Sequence, residues 1–87
     1  MQVESRHYYV ERVPGVGGGR AIIKGTRIGV WAIVESYRSG LTPEEILGHY
    51  PQLTLSKVFD ALGYYDDNRQ EVESDIAANR PDGPAAP

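Results

Sequence analysis

The sequence predicts a mainly α-helical domain, with a small N-terminal β element followed by a helix-turn-helix bundle of about four helices. Three observations carry that expectation. Apolar residues from Val30 onward recur at helical spacing. Two helix-start signals, "LTPEEI" and "LTLSKV", follow closely on one another. Six glycines crowd the stretch "GVGGGRAIIKGTRIGV" ahead of the first helix, where turns between short strands need positive φ.

Taken in chain order, "YYVERV" alternates and is rich in Tyr and Val, which predicts a short strand over residues 8–13 that Pro14-Gly15 ends. Gly17, Gly18 and Gly19 supply turn positions, and "RAIIKGTRI" reads as two strand pieces hinged at Gly25. The same glycines fail the nucleotide-binding patterns. Lys24-Gly25-Thr26 reverses the Gly-Lys-Thr order of a phosphate loop, and Arg20 and Ile22 stand where a dinucleotide fingerprint needs its third glycine.

The first helix begins at Val30. Val30, Ile33, Val34, Tyr37 and Leu41 share a stripe, and Gly40 ends the helix as the residue beyond its C-cap. In the second helix Thr42 is the N-cap, Pro43 sits at N1, Glu45 completes a capping box and Leu41 staples onto Ile46; Gly48 and Pro51 stop it. Thr54 caps the third helix, whose predicted inward stripe is Leu55, Val58, Phe59, Leu62 and Tyr65, with Ser56, Lys57 and Asp60 outward. Asp67 or Asn68 caps a fourth, acidic helix running from about Asn68 to Ala78. Residues 1–79 thus form one domain, with short strands within 7–28 and helices within 30–79. Residues 80–87, "RPDGPAAP", read as a disordered tail.

An 87-residue chain is near the size at which a second subunit helps stability, and lone short strands leave unpaired edges, so a homodimer through the N-terminal strands is expected. There is no cysteine, hence no disulfide or thiolate metal site. No secretory leader or membrane-length apolar run is visible, which predicts a cytoplasmic protein that does not engage a membrane. Residues 1–40 hold six Lys/Arg against three Asp/Glu, and residues 41–87 hold three against nine. That asymmetry suggests two faces with different partners.

No catalytic set emerges, so no enzyme, cofactor or metal is expected: His7 and His49 lack metal-ligand spacing, and Trp31 reads as a core or interface anchor. Lys57 is more informative. At N3 of a helix it opposes the macrodipole, unless an anion or another group compensates. N-terminal positions on the second helix of a helix-turn-helix meet DNA, which nominates Gln52, Thr54, Ser56 and Lys57, joined by Lys24 and Arg27 if they share one basic face. Asp60, one turn on, would repel DNA.

The stretch "GGGRAIIKGTRIGVWAIVESYRSGLTPEEILGHYPQLTLSKVFDALGYY" strongly resembles the DUF433 family of small prokaryotic proteins, which look like VapB-type antitoxins. The resemblance covers about residues 8–78. Its specific parts are the paired glycines before a basic strand, "IKGTRI", the Val-Trp start of the first helix, and "YPQLT" leading into the third. It implies a homeodomain-like or winged-helix-like fold, pairing with a PIN-like ribonuclease toxin, and autoregulation through operator DNA. Two positions depart from the family's habit: Gly29, often proline, and Ser56-Lys57, often acidic. On the antitoxin reading, toxin contact falls to Tyr64, Tyr65, Asp67, Arg69, Val72 and Ile76. The aromatics supply rigid contact area, the surrounding acids steer, and the two aliphatic residues form a stripe for a groove on the partner, unless they pack inside the chain's own fold. The runner-up is a stand-alone transcriptional regulator or DNA-binding adaptor.

Overall fold

The computed structural model describes residues 7–79. It is mainly helical, with a two-stranded antiparallel sheet near its N-terminal end and four α-helices. Strands β1 (Val10–Glu11) and β2 (Ile22–Ile23) pair Val10 with Ile23 and Glu11 with Ile22. Helices follow as α1 (Val30–Arg38), α2 (Pro43–His49), α3 (Leu55–Asp67) and α4 (Arg69–Asn79).

The strands are far shorter than the alternation of "YYVERV" suggested. Val13 O accepts from Val16 N–H in a turn, and Gly17, Gly18 and Gly19 all take positive φ in a 3-10 turn, so the chain leaves the ladder early. The second strand piece expected after Gly25 does not form a strand either, because residues 24–27 are consumed by a turn. An isolated bridge pairs Ile22 with Gly29, and Val30 N–H donates to Ala21 O at 3.0 Å, tying the first turn of α1 to the sheet.

Gly29 is buried and has φ −73°, a conformation open to any residue. A Cβ here would nevertheless collide with the Trp31 indole. The ring of this half-buried, core-packed tryptophan is what a side chain at position 29 would have to displace. At the other end of α1, Gly40 (φ +110°) donates to Tyr37 O and Leu41 N–H donates back to Ser36 O. This is a Schellman ending of the kind the sequence called for.

Thr42 and Glu45 form the reciprocal capping box, with bonds of 2.8 and 3.1 Å. Gly48 stays inside α2 and does not stop it. The stop comes at Tyr50 (φ −133°, ψ 72°), which the following Pro51 keeps out of the helical region. Thr54 caps α3 through Lys57 N–H, as expected. At the junction Asn68 directly precedes α4, its carbonyl accepting from Val72 N–H at 3.1 Å, while its side-chain amide donates backward to Tyr64 O and Asp67 reaches His7.

The core joins Ile23, Val30, Ile33, Val34, Ile46, Leu53, Val58, Ala61, Val72 and Ile76. Each buried Val or Ile contributes roughly 1.5–3 kcal/mol relative to exposure. α1 is the central packing partner, contacting α3 and α4, and α4 lies chiefly against α1 rather than α3. Two residues of the predicted stripes point elsewhere. Tyr37 is half exposed, and Phe59 is 53% exposed while Ala61 takes the inward place on α3. No helix among the described residues is long and apolar enough to cross a membrane. The predicted tail at 80–87 lies outside the described residues.

Candidate nucleic-acid interface

The loop "IKGTRI" is locked by its own polar groups. Thr26 Oγ1 donates to Ile23 O at 2.8 Å and accepts from Ile28 N–H at 2.9 Å; Gly25 N–H donates to the Glu11 carboxylate at 3.0 Å, and Gly25 itself takes φ +77°. This fixed turn leaves Lys24 and Arg27 exposed on the surface. Lys24 N–H donates to Tyr9 O at 2.7 Å, and its ammonium lies 4.2 Å from the centroid of the Tyr8 ring.

At the start of α3, Gln52, Thr54 and Ser56 are exposed and Lys57 is half-buried. The Lys57 ammonium stands 5.9 Å from the Tyr9 ring, a π-face contact that offsets part of its poor placement at N3. Tyr8 and Tyr9 meet edge to face at 5.0 Å. Lys24 and Lys57, distant in sequence, are thereby brought to the two ends of one aromatic pair. Thr54 is committed to its capping bond, so of the nominated residues it is the least free to read a base.

Asp60, set down as a residue that would repel DNA, has a structural task. Its Oδ2 accepts from Tyr9 N–H at 2.7 Å, and its Oδ1 lies 3.4 Å from His7 Nδ1, while His7 Nε2 lies 2.8 Å from Asp67 Oδ2. The His7 ring also packs edge-on against Tyr64 at 5.4 Å. His7 thus clamps the start of the β element to α3. Asp60 together with His7 O, which takes Val10 N–H, occupies donors on the strand edge that the homodimer expectation had left open. Among the described residues no group of three or more His, Cys, Asp or Glu could hold a metal ion.

The charge asymmetry between the halves resolves inside the molecule. Arg12 pairs with Glu71, Arg20 with Asp75 at 3.5 Å, Arg38 with Glu73 at 2.7 Å and Arg69 with Asp66 at 3.0 Å. Three of these bridges strap the acidic α4 to the basic N-terminal half, so part of each charge block faces the other. The Arg38 hydrogen bond holds the Glu73 carboxyl below its ordinary range, and donating to Glu73 raises the Tyr65 phenol. Burial, followed by its bond to Glu71, raises Tyr64; burial also raises Asp75 against the opposing pull of Arg20. Lys24, Arg27 and Lys57 have no carboxylate partner among the described residues.

The residues nominated for toxin contact scatter accordingly. Val72 and Ile76 are 0% and 1% exposed and belong to the core, so with α4 docked they offer no stripe to a partner's groove. Asp67 is engaged with His7, and Tyr64 donates to Glu71 at 2.8 Å beneath Arg12. Tyr65 and Arg69, stacked at 5.0 Å, line a groove of about 530 Å³ that Tyr37 and Leu62 also line. The residues that the sequence reading missed are Tyr8, Tyr9 and Phe59.

Two comparisons bear on this arrangement. The model of the DUF433 family, described as a protein of unknown function, matches residues 10–65. Among solved structures, the crystal structure of a DUF433 member protein from Anabaena variabilis ATCC 29413 is 38% identical, with a TM-score of 0.75; the match covers 79% of this chain and 68% of that one. No curated protein matches the chain.

Proposed function

The chain belongs to the DUF433 family, and within it we propose the antitoxin of a type II toxin–antitoxin pair, a binding protein that grips operator DNA through α2, its turn and α3. The observation that supports the DNA side is the division of the basic residues. Four arginines are spent on internal carboxylates, whereas among the described residues Lys24, Arg27 and Lys57 have none; Lys57 stands at the N-terminal end of α3, Lys24 and Lys57 meet the Tyr8–Tyr9 pair, and Arg27 is exposed on the turn that follows Lys24. In this reading the three cations meet phosphates and fix the register, and Gln52 and Ser56 on the exposed side reach base edges. A homodimer would present two such helices to a two-fold operator.

The antitoxin side rests on the likeness to VapB-type antitoxins read in the sequence alone. Its contact surface is the groove of Tyr37, Tyr65 and Arg69, not the aliphatic stripe of α4, which is inside. A second reading, the stand-alone regulator, gains support from the same helix. The acids of α4 are paired internally and its apolar residues are buried, as in a structural element rather than an arm held out for a partner. Co-expression with the adjacent reading frame, followed by co-purification and a gel shift on the upstream region, separates the readings. A stable complex with a nuclease and a shifted promoter are expected. A shift without any complex favours the regulator, and no shift at low salt, with or without the partner, overturns the DNA reading.

A further inference from the structure

Tyr8 and Phe59 are 59% and 53% exposed, an unusual outlay of aromatic surface in so small a domain. With Tyr9, Ser56 and Asp60 they enclose a shallow hollow of about 420 Å³ on the outer side of α3. Its aromatic rim carries the two lysines already described, Lys24 at 4.2 Å from the Tyr8 ring and Lys57 at 5.9 Å from Tyr9. The Asp60 carboxylate in its wall accepts from Tyr9 N–H and lies 3.4 Å from His7 Nδ1, and it forms no ion pair with either lysine.

Charge decides between occupants. A second copy seated across a two-fold axis would bring uncompensated lysines toward one another, and an apolar peptide would leave them without a counter-charge. A nucleotide supplies both complements within one monomer's length: a flat π face for the rings and a phosphate for each ammonium. We propose that the hollow seats an unpaired nucleobase, stacked on Phe59 and Tyr8, from a single-stranded nucleic acid whose flanking phosphates lie on Lys24 and Lys57. The proposal rests on the reading of this face as a nucleic-acid surface and adds that the ligand is single-stranded at this point.

Fluorescence anisotropy of the full chain at low salt tests it with three labelled probes: a mixed-sequence DNA strand of about twelve nucleotides, the same strand made abasic, and the matching duplex. The intact strand binds about tenfold tighter than the abasic one, and Phe59→Ala closes that gap. Lys24→Gln and Lys57→Gln weaken both strands by a similar factor. Circular dichroism checks that Phe59→Ala is folded, and Tyr8→Ala, another exposed ring, serves in its place if it is not. Duplex binding with no advantage of the intact over the abasic strand overturns this inference and leaves the operator reading standing; no binding of any probe overturns both. A dimer that Phe59→Ala dissociates, with nucleic-acid affinity unchanged, assigns the hollow to a second copy and also overturns it.

Discussion

Replacing Ile76 by alanine tests whether α4 is part of the folded unit or an arm available to a partner. Ile76 is 1% exposed and lies in the same core as Ile33, Val34 and Val72. Truncation removes about three methylene equivalents at ~0.8 kcal/mol each, and the unfilled cavity adds to that, giving a loss of about 2.5–4 kcal/mol. Against a total stability of roughly 5–15 kcal/mol this is a large fraction. At about 4–8 °C per kcal/mol for a domain of this size, the melting temperature falls by roughly 10–30 °C. Thermal and urea unfolding followed by far-ultraviolet circular dichroism read it directly, with Ser74→Ala, an exposed position on the same helix, as a control expected within about 0.5 kcal/mol. An Ile76→Ala variant as stable as the control would mean that α4 is not docked in solution, and would return Val72 and Ile76 to the surface available for a partner.

Gly29→Ala is expected to cost about 1–3 kcal/mol and to shift Trp31 fluorescence, because the new methyl must displace the indole; unchanged emission and melting would contradict the packing described. Thr42→Ala removes the N-cap side of the capping box and lowers stability by about 1 kcal/mol in urea titrations. Glu73 has a lowered carboxyl pKa in the fold, so its contribution is present above the unfolded value and disappears as pH falls through the folded one. Glu73→Gln should therefore weaken the fold at neutral pH, by no more than about 1 kcal/mol for so exposed a pair, and should reduce the loss of stability on acidification below about pH 4.5. Asp75 works in the opposite sense: its raised pKa makes ionisation costly, and that cost vanishes as pH falls.

What was legible in the sequence was local. Thr42, Glu45, Thr54 and Gly40 act within a few residues of themselves, and each cap stands where the spacing put it. The face of α3 was not local information. Val58, Phe59, Ala61 and Leu62 all suit an apolar stripe, and only the positions of α1 and β1 decide that Ala61 turns in and Phe59 out. The ion pairs were hidden for the same reason: Arg12 and Glu71 are 59 residues apart, and nothing at either position announces the other. Hence the sequence shows the charge asymmetry but not the internal bridges that take up part of it. The basic trio of Lys24, Arg27 and Lys57 was named from sequence, but that these alone among the described basic residues have no carboxylate partner required the fold.

The salt dependence of binding to the upstream DNA tests the nucleic-acid face most directly. Each phosphate contact contributes about −0.9 to the slope of log K against log salt, so changing Lys24, Arg27 and Lys57 together to glutamine should flatten the slope by about 2 to 3 while leaving the melting curve near that of the parent. A slope unaltered by the triple change, or a parent protein that binds no DNA at low salt, would contradict the account.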